Sequence, residues 1–247
     1  MKKNHVGLLS AAVVLMGWQL LAMAVNMTHI LPSPVSTLVR LWELRESLFL
    51  THLPATLEII VLGMALAIIV GLLLAILMDM FPTVEAMIYP TLVVIQTIPV
   101  MCISPLFVLW FGYSLWARLL AVVLSTFFTI TINTFDGLKN TKREMQELMQ
   151  TYGAGRLRIF FKLKVPTALP NFITSLKITL PWAVIGAAIS ERLVATKGLG
   201  YFIKRMMTKL DGSAVFASVL LLSLLALIGI SLIKWIDRKW VVWRSEM

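Results

Sequence analysis

Charge is the first thing this sequence has little of. Only 14% of its 247 residues are Asp, Glu, Lys or Arg, about half the share of a soluble domain. That is too little to cover a water-facing globule. Cysteine is almost absent: the single Cys102 excludes a disulfide scaffold. Histidine is equally sparse, and His5, His29 and His52 stand isolated, which argues against a metal site. No G-x-x-x-x-G-K-[ST] loop occurs, so the chain has nothing to cradle nucleotide phosphates. Gly153-Ala-Gly155 and Gly198-Leu-Gly200 are too short for a dinucleotide fingerprint and read as a helix stop and a tight turn. No nucleophile–base pair is recognisable. The expectation is a chain that is not an enzyme and carries no cofactor or metal of its own.

What the sequence has in quantity is apolar surface. Hydrophobic residues make up 59% and the mean hydropathy is +0.90, which excludes disorder and leaves an all-α integral membrane protein. Continuous apolar runs favour helices over the alternating pattern of barrel strands. Six transmembrane helices are expected, at about 6–25, 57–78, 86–111, 115–135, 172–190 and 214–236. The third is broken by Pro90, Pro99 and Pro105. The first has the look of a secretory signal, with Lys2 and Lys3 before it and Ala22-Met23-Ala24 near its end. Its apolar stretch is longer than a usual signal core, so a retained helix is the preferred reading.

The net charge of +10 would suggest nucleic acid on a soluble chain. No basic stripe with interleaved aromatics lies outside the apolar runs, so no nucleic-acid partner is expected. Flanking cations follow instead from the positive-inside rule. Lys2, Lys3, the loop between spans four and five, and the tail from Lys234 hold most of the Lys and Arg. Both termini are therefore expected in the cytoplasm. The segment Arg192 to Lys209 then lies outside and is unusually basic.

Residues 136–170 form the one long inside loop. Thr141-Lys-Arg-Glu144 reads as a capping box, followed by a short helix to about Tyr152, with Gly153 stopping it in the left-handed conformation. Arg156 to Val165 is basic and apolar at once, and Pro166 is expected to end it. Such a stretch suits either anionic lipid or a groove on a cytoplasmic partner. On the other side, Leu31-Pro-Ser-Pro34 reads as an extended turn, Ser36 as the cap of a short amphipathic helix, and Asp211-Gly-Ser213 as a turn opening span six.

Here the residues carry a resemblance. Glu147-Leu-Met-x-x-x-Gly153-x9-Leu163-x-Val165-Pro166 resembles the EAA loop of ABC importer permeases, with glutamate, glycine and proline in register. Leu148 and Met149 replace the two alanines of that pattern. Ile98-Pro99 through Pro105 to Gly112, Glu191 through Gly198-Leu-Gly-Tyr201, and Leu31-Pro-Ser-Pro34 are similar to one branch, which serves nitrate, sulfonate, taurine and thiamine-pyrimidine importers. The matches are ordered and span nearly the whole chain.

The resemblance implies a type I ABC importer permease fold in the cell membrane. ATP would be bound by a separate ATP-binding cassette subunit, a substrate-binding protein would meet the outer face, and a second copy of the chain would complete a homodimer. It further implies that residues 136–170 are the coupling loop, with Glu147 and Gly153 shaping it. Ala154, Arg156, Leu157 and Pro166 would lie at or near the docking surface, and Arg156, Arg158 and Lys162 would pair with the partner or with lipid. Candidates for the translocation path are Gln96, Thr97, Pro99, Ser104 and Pro105 on span three, and Lys177 and Glu191 on span five. Intramembrane ionisable groups are functional candidates by default; Lys177, near a span end, reads better as a lysine that snorkels.

For substrate, the analogy leans to a thiamine-precursor pyrimidine, on Gly198-Leu-Gly-Tyr201 with its basic follow-on and on the tail Trp240-Val-Val-Trp243. The alternative is a sulfonate, taurine or nitrate anion, which the basic outer segment would steer. An ion-coupled secondary transporter is the competing class; it would want carboxylates within the spans, whereas Glu58, Asp79 and Glu191 all sit at ends.

Overall fold

The computed structural model describes residues 2–240, which are all-helical with no strand among them. Helix α1 (Lys2–Val25) opens on Lys2-Lys3-Asn4-His5 and is mostly apolar beyond. Leu20, Leu21 and Met23 are exposed, as suits a lipid-facing helix, and Ala22 is buried. The Trp18 indole N–H ties α1 down by donating to the Pro32 carbonyl at 3.0 Å. Helix α2 (Pro34–Glu43) is capped by Ser33, whose hydroxyl accepts from the Ser36 N–H at 3.0 Å. The sequence pointed to Ser36 as the cap. Pro34 moves the start forward, because its fixed φ and missing N–H suit the first helical position.

Helix α3 (Leu53–Met80) is entered through a π-helical turn, Ser47–His52. Helices α4 (Pro82–Ile95) and α5 (Val100–Phe111) are bent 102° from one another. The break falls at Pro99, itself extended at φ −63° and ψ 124°, and its ring disfavours helix at Ile98 before it. Helix α6 spans Leu115–Lys139, so Asp136 and Gly137, expected to open the loop, belong to its last turns.

Short α7 (Arg143–Thr151) and α8 (Arg156–Ile159) follow. A second π turn, Phe160–Lys164, leads without a break into α9 (Val165–Val194). Pro166 was expected to stop this stretch and does not. Both π turns end two residues before a proline, Pro54 and Pro166. A proline ring clashes with the carbonyl four residues earlier. The wider i→i+5 turn displaces that carbonyl, so the helix passes through. Helices α10 (Leu199–Thr208) and α11 (Gly212–Trp240) complete the chain.

Among the described residues, four helices are long and apolar enough to cross a membrane: Ser47–Met80, Leu115–Lys139, Arg156–Val194 and Gly212–Lys239. The bent α4–α5 pair would make a fifth if it counts as one span. The core is α6 packed between α3 and α9. Gly63, Ala67, Gly71 and Ala75 recur every four residues on α3 and are all buried. A side chain at Gly63 would stand 2.6 Å from Val122, and one at Gly71 2.9 Å from Ile130, both on α6. Between membrane helices hydrophobicity gives no advantage, so close packing of small residues replaces it. Two buried hydroxyls of α6 are satisfied within their own helix: Thr126 donates to Val122 O and Thr131 to Phe127 O, both at 2.8 Å.

Candidate functional site

The α7–α8 loop stands at one end of the bundle. Helix α7 closes with a Schellman arrangement: Ala154 N–H donates to Met149 O at 2.9 Å and Gly153 N–H to Gln150 O at 2.8 Å. Gly153 adopts φ +77°, a conformation only glycine takes without strain. The start of α7 departs from the capping-box reading. The Thr141 hydroxyl donates back to Leu138 O at 3.0 Å, and Lys142, with no side-chain hydrogen bond, takes the cap position. Thr141 is held there because α6 runs on to Lys139 and leaves its last carbonyls unsatisfied. Glu147 pairs with Arg143 at 2.8 Å on the exposed face.

The loop offers an unusual surface. Leu148, Tyr152, Leu157 and Phe161 are exposed, beside the exposed cations Arg156, Arg158 and Lys162. Below that surface the loop is riveted to the bundle. Ile159 is buried. The Lys164 ammonium donates to both oxygens of Asp79 at 2.8 and 2.9 Å, Lys139 reaches Glu85 of α4, and Lys177 is paired with Asp237 of α11. Three lysines at this end thus each meet an acid from another helix. Sequence reading placed Asp79 at a span end and did not single out Glu85 or Asp237; only packing reveals the pairs.

A cleft of about 450 Å³ opens where α4 gives way to α5, walled by α6 and α9. Gln96 and Pro99 line it, with Ser125 and Thr129 of α6 and Trp182 and Ile185 of α9. The structure does not gather the other path candidates there. Thr97 lies in the bend and donates to Val94 O. Ser104 is buried and donates to Val100 O at 2.8 Å, one residue before Pro105. Lys177 and Glu191 are not among the lining residues. Ser125, Thr129 and Trp182 went unmarked in the sequence, since nothing in a single helix says which side faces the bend.

Glu191 sits at the far end of α9 with no exposed surface. Its Oε2 accepts from the Gly200 N–H at 2.8 Å and the Thr56 hydroxyl at 3.0 Å. Thr56 in turn accepts from the Leu199 N–H at 2.8 Å, and His52 Nδ1 accepts from the Gly198 N–H at 3.1 Å. The neighbouring Arg192 is exposed and turned away, its guanidinium 3.8 Å from Met207 sulfur. Sequence reading found Glu191 but neither Thr56 nor His52, which lie more than a hundred residues away. The tail Trp240-Val-Val-Trp243 extends beyond the described residues.

Comparison with known proteins agrees with this architecture. Residues 63–242 match the family described as binding-protein-dependent transport system inner membrane component. The formylaminopyrimidine transport permease protein ThiX of Halalkalibacterium halodurans is 47% identical, over 93% of this chain and 92% of the relative. A putative aliphatic sulfonates transport permease protein of Bacillus subtilis is 29% identical, over 97% of this chain and 88% of its own length. A chain from the inward-facing MetNI methionine ABC transporter superposes with a TM-score of 0.53 at 21% identity, covering 74% of this chain and 91% of that one, which supports the fold. The helical membrane bundle and the matched family together establish that this chain belongs to the binding-protein-dependent inner membrane components, the permease subunits of ABC importers.

Proposed function

We propose that the chain is the permease of an ATP-driven importer for a formylaminopyrimidine-type thiamine precursor. The observation that carries this is the 47% identity to a formylaminopyrimidine permease across nearly the whole of both chains. In this reading the chain crosses the cytoplasmic membrane six times with both termini inside, and two copies enclose the path. ATP is bound and hydrolysed on a separate subunit, which grips the exposed apolar face of Leu148, Leu157 and Phe161 around the Gly153 stop. Glu147 orders α7 through Arg143, Ala154 and Pro166 set the course of the backbone, and Arg156, Arg158 and Lys162 meet acidic groups of that subunit.

Closure of the nucleotide subunits biases a two-state membrane bundle. The cleft at Gln96 and Pro99 supplies a polar, kinked stretch at membrane depth, tolerated where backbone faces a cavity. A binding protein delivers the pyrimidine at the α10 face. A sulfonate-type anion is the second reading, favoured by the exposed cations Arg192, Lys197, Lys204, Arg205 and Lys209 and by the Bacillus subtilis relative.

The test is uptake into proteoliposomes holding the chain, its ATP-binding subunit and its binding protein. ATP-dependent accumulation of labelled formylaminopyrimidine, with none for taurine or nitrate, is expected. The reverse preference would replace the substrate reading. Uptake driven by an ion gradient without ATP would overturn the importer itself.

A further inference from the structure

Helix α10 is capped in an unusual way. The N–H groups of Gly198, Leu199 and Gly200 are successive donors at its start, and such donors have no partner within their own helix. Here each is satisfied by a side chain from a different part of the fold: His52 Nδ1, Thr56 Oγ1 and Glu191 Oε2. The first two sit one turn apart at the start of α3, the third on the last turn of α9. The fit leaves no slack. Gly198 has φ +115°, and a side chain there would lie 2.3 Å from the Glu191 carboxyl carbon; one at Gly200 would lie 2.2 Å from Ala188 O. His52 also packs against Phe202 with the rings tilted 57° and their centroids 4.9 Å apart, and Leu199, Phe202 and Met206 are buried behind it.

The second half of the observation concerns α9. The helix that bears Glu191 is continuous from Arg156 to Val194, about 58 Å at 1.5 Å per residue. Its first turns belong to the coupling loop, its last third supplies Trp182, Ile185 and Ile189 to the cleft, and its last turn holds α10. One packed element therefore touches all three places.

We propose that Glu191, with Thr56 and His52, is a positioning residue of the transport cycle: it fastens α10 to the far end of the helix whose near end is the coupling loop, so that events at the α10 face and at the ATP-binding subunit act on one continuous helix. This rests on the importer reading. Packed helices with discrete arrangements can carry such coupling. Glu191 acts here as a hydrogen-bond acceptor, so an amide oxygen in its place serves as well.

The experiment compares Glu191→Ala, Glu191→Gln, Thr56→Val and Thr56→Ser in the reconstituted complex, reading the ratio of binding-protein-stimulated to basal ATPase. Glu191→Ala and Thr56→Val are expected to lower that ratio about tenfold, the scale of losing a buried hydrogen bond, while Glu191→Gln and Thr56→Ser stay within about twofold of the parent. A ratio in Glu191→Ala that matches the parent overturns the proposal, and so does a Glu191→Gln ratio as low as that of Glu191→Ala. Where Glu191→Ala does not accumulate in the membrane, the Thr56 pair carries the same comparison.

A second readout is independent of transport. In a Cys102→Ser background, the buried position Met206→Cys reports whether α10 is held. Labelling by an impermeant maleimide is expected to run about tenfold faster with Glu191→Ala than without it, and equal rates overturn the proposal. A parent complex without ATP-dependent uptake refutes the importer reading instead, and the labelling experiment then decides the cap by itself.

Discussion

Breaking the pair between Asp79 and Lys164 should destabilise the bundle by an amount that depends on which partner is removed. The Asp79 side chain is 4% exposed and that of Lys164 19%, and both carboxylate oxygens accept from the ammonium. Removing one member of such a pair strands the other, at about 3–5 kcal/mol when it has no escape. In Lys164→Met the stranded group is Asp79, short and enclosed, so a loss of about 3 kcal/mol is expected. In Asp79→Asn the stranded group is a lysine whose long stem can carry its charge outward, so the loss should be smaller, about 1–2 kcal/mol. Asp79→Leu combined with Lys164→Met leaves no buried charge and should return to within about 1 kcal/mol of the parent. Equilibrium unfolding of purified protein in mixed micelles, titrated with SDS, measures all four. Single variants within about 0.5 kcal/mol of the parent, or a double variant as unstable as the sum of its parts, would refute the reasoning.

Other consequences follow from the packing and the loop. Gly63→Val puts a Cβ 2.6 Å from Val122 and should cost about 1–3 kcal/mol of stability by overpacking, in the same SDS titration; Gly17→Val, with nothing within 4 Å, should cost far less. Gly153→Val sits at φ +77° in open space, so it should strain the α7 stop by about 1–2 kcal/mol without disturbing the bundle. Affinity capture should then recover less of the ATP-binding subunit, and Gly153→Asn should recover more than Gly153→Val. Leu157→Glu and Phe161→Glu alter exposed side chains and should leave stability within about 0.5 kcal/mol while abolishing that capture; unchanged capture would move the docking surface elsewhere.

The fold class was legible because its cause is local. A run of apolar residues near 20 long is a membrane helix whatever surrounds it, since the backbone has no other way to satisfy its hydrogen bonds in lipid. The left-handed stop at Gly153 and the break at Pro99 were readable for the same reason, whereas Pro90 and Pro105, expected to break the same span, lie inside α4 and α5. Where reading by local rules went astray, a neighbour had intervened. Pro166 does not end a helix because a π turn makes room for it. Thr141 does not cap α7 because it serves the end of α6, and Ser36 yields to Ser33 because Pro34 lies between them.

The sequence by itself determined that this chain belongs in a membrane, which segments are apolar enough to lie there, where the exposed loop falls, and which motifs mark it as an importer permease. Composition and short-range backbone sterics suffice for the first three; the last rests on the resemblance of the motifs to a known family. Tertiary structure alone decided the partners of the charges and of the helix ends: Asp79 with Lys164, Lys177 with Asp237, and His52, Thr56 and Glu191 on the three free N–H groups of α10. Apart from Glu191 and Gly200, nine residues apart, those partners lie tens to more than a hundred residues apart, and a buried polar group has to find a hydrogen bond wherever packing supplies one. No local pattern encodes that choice, because it is made by the face each helix turns to its neighbours.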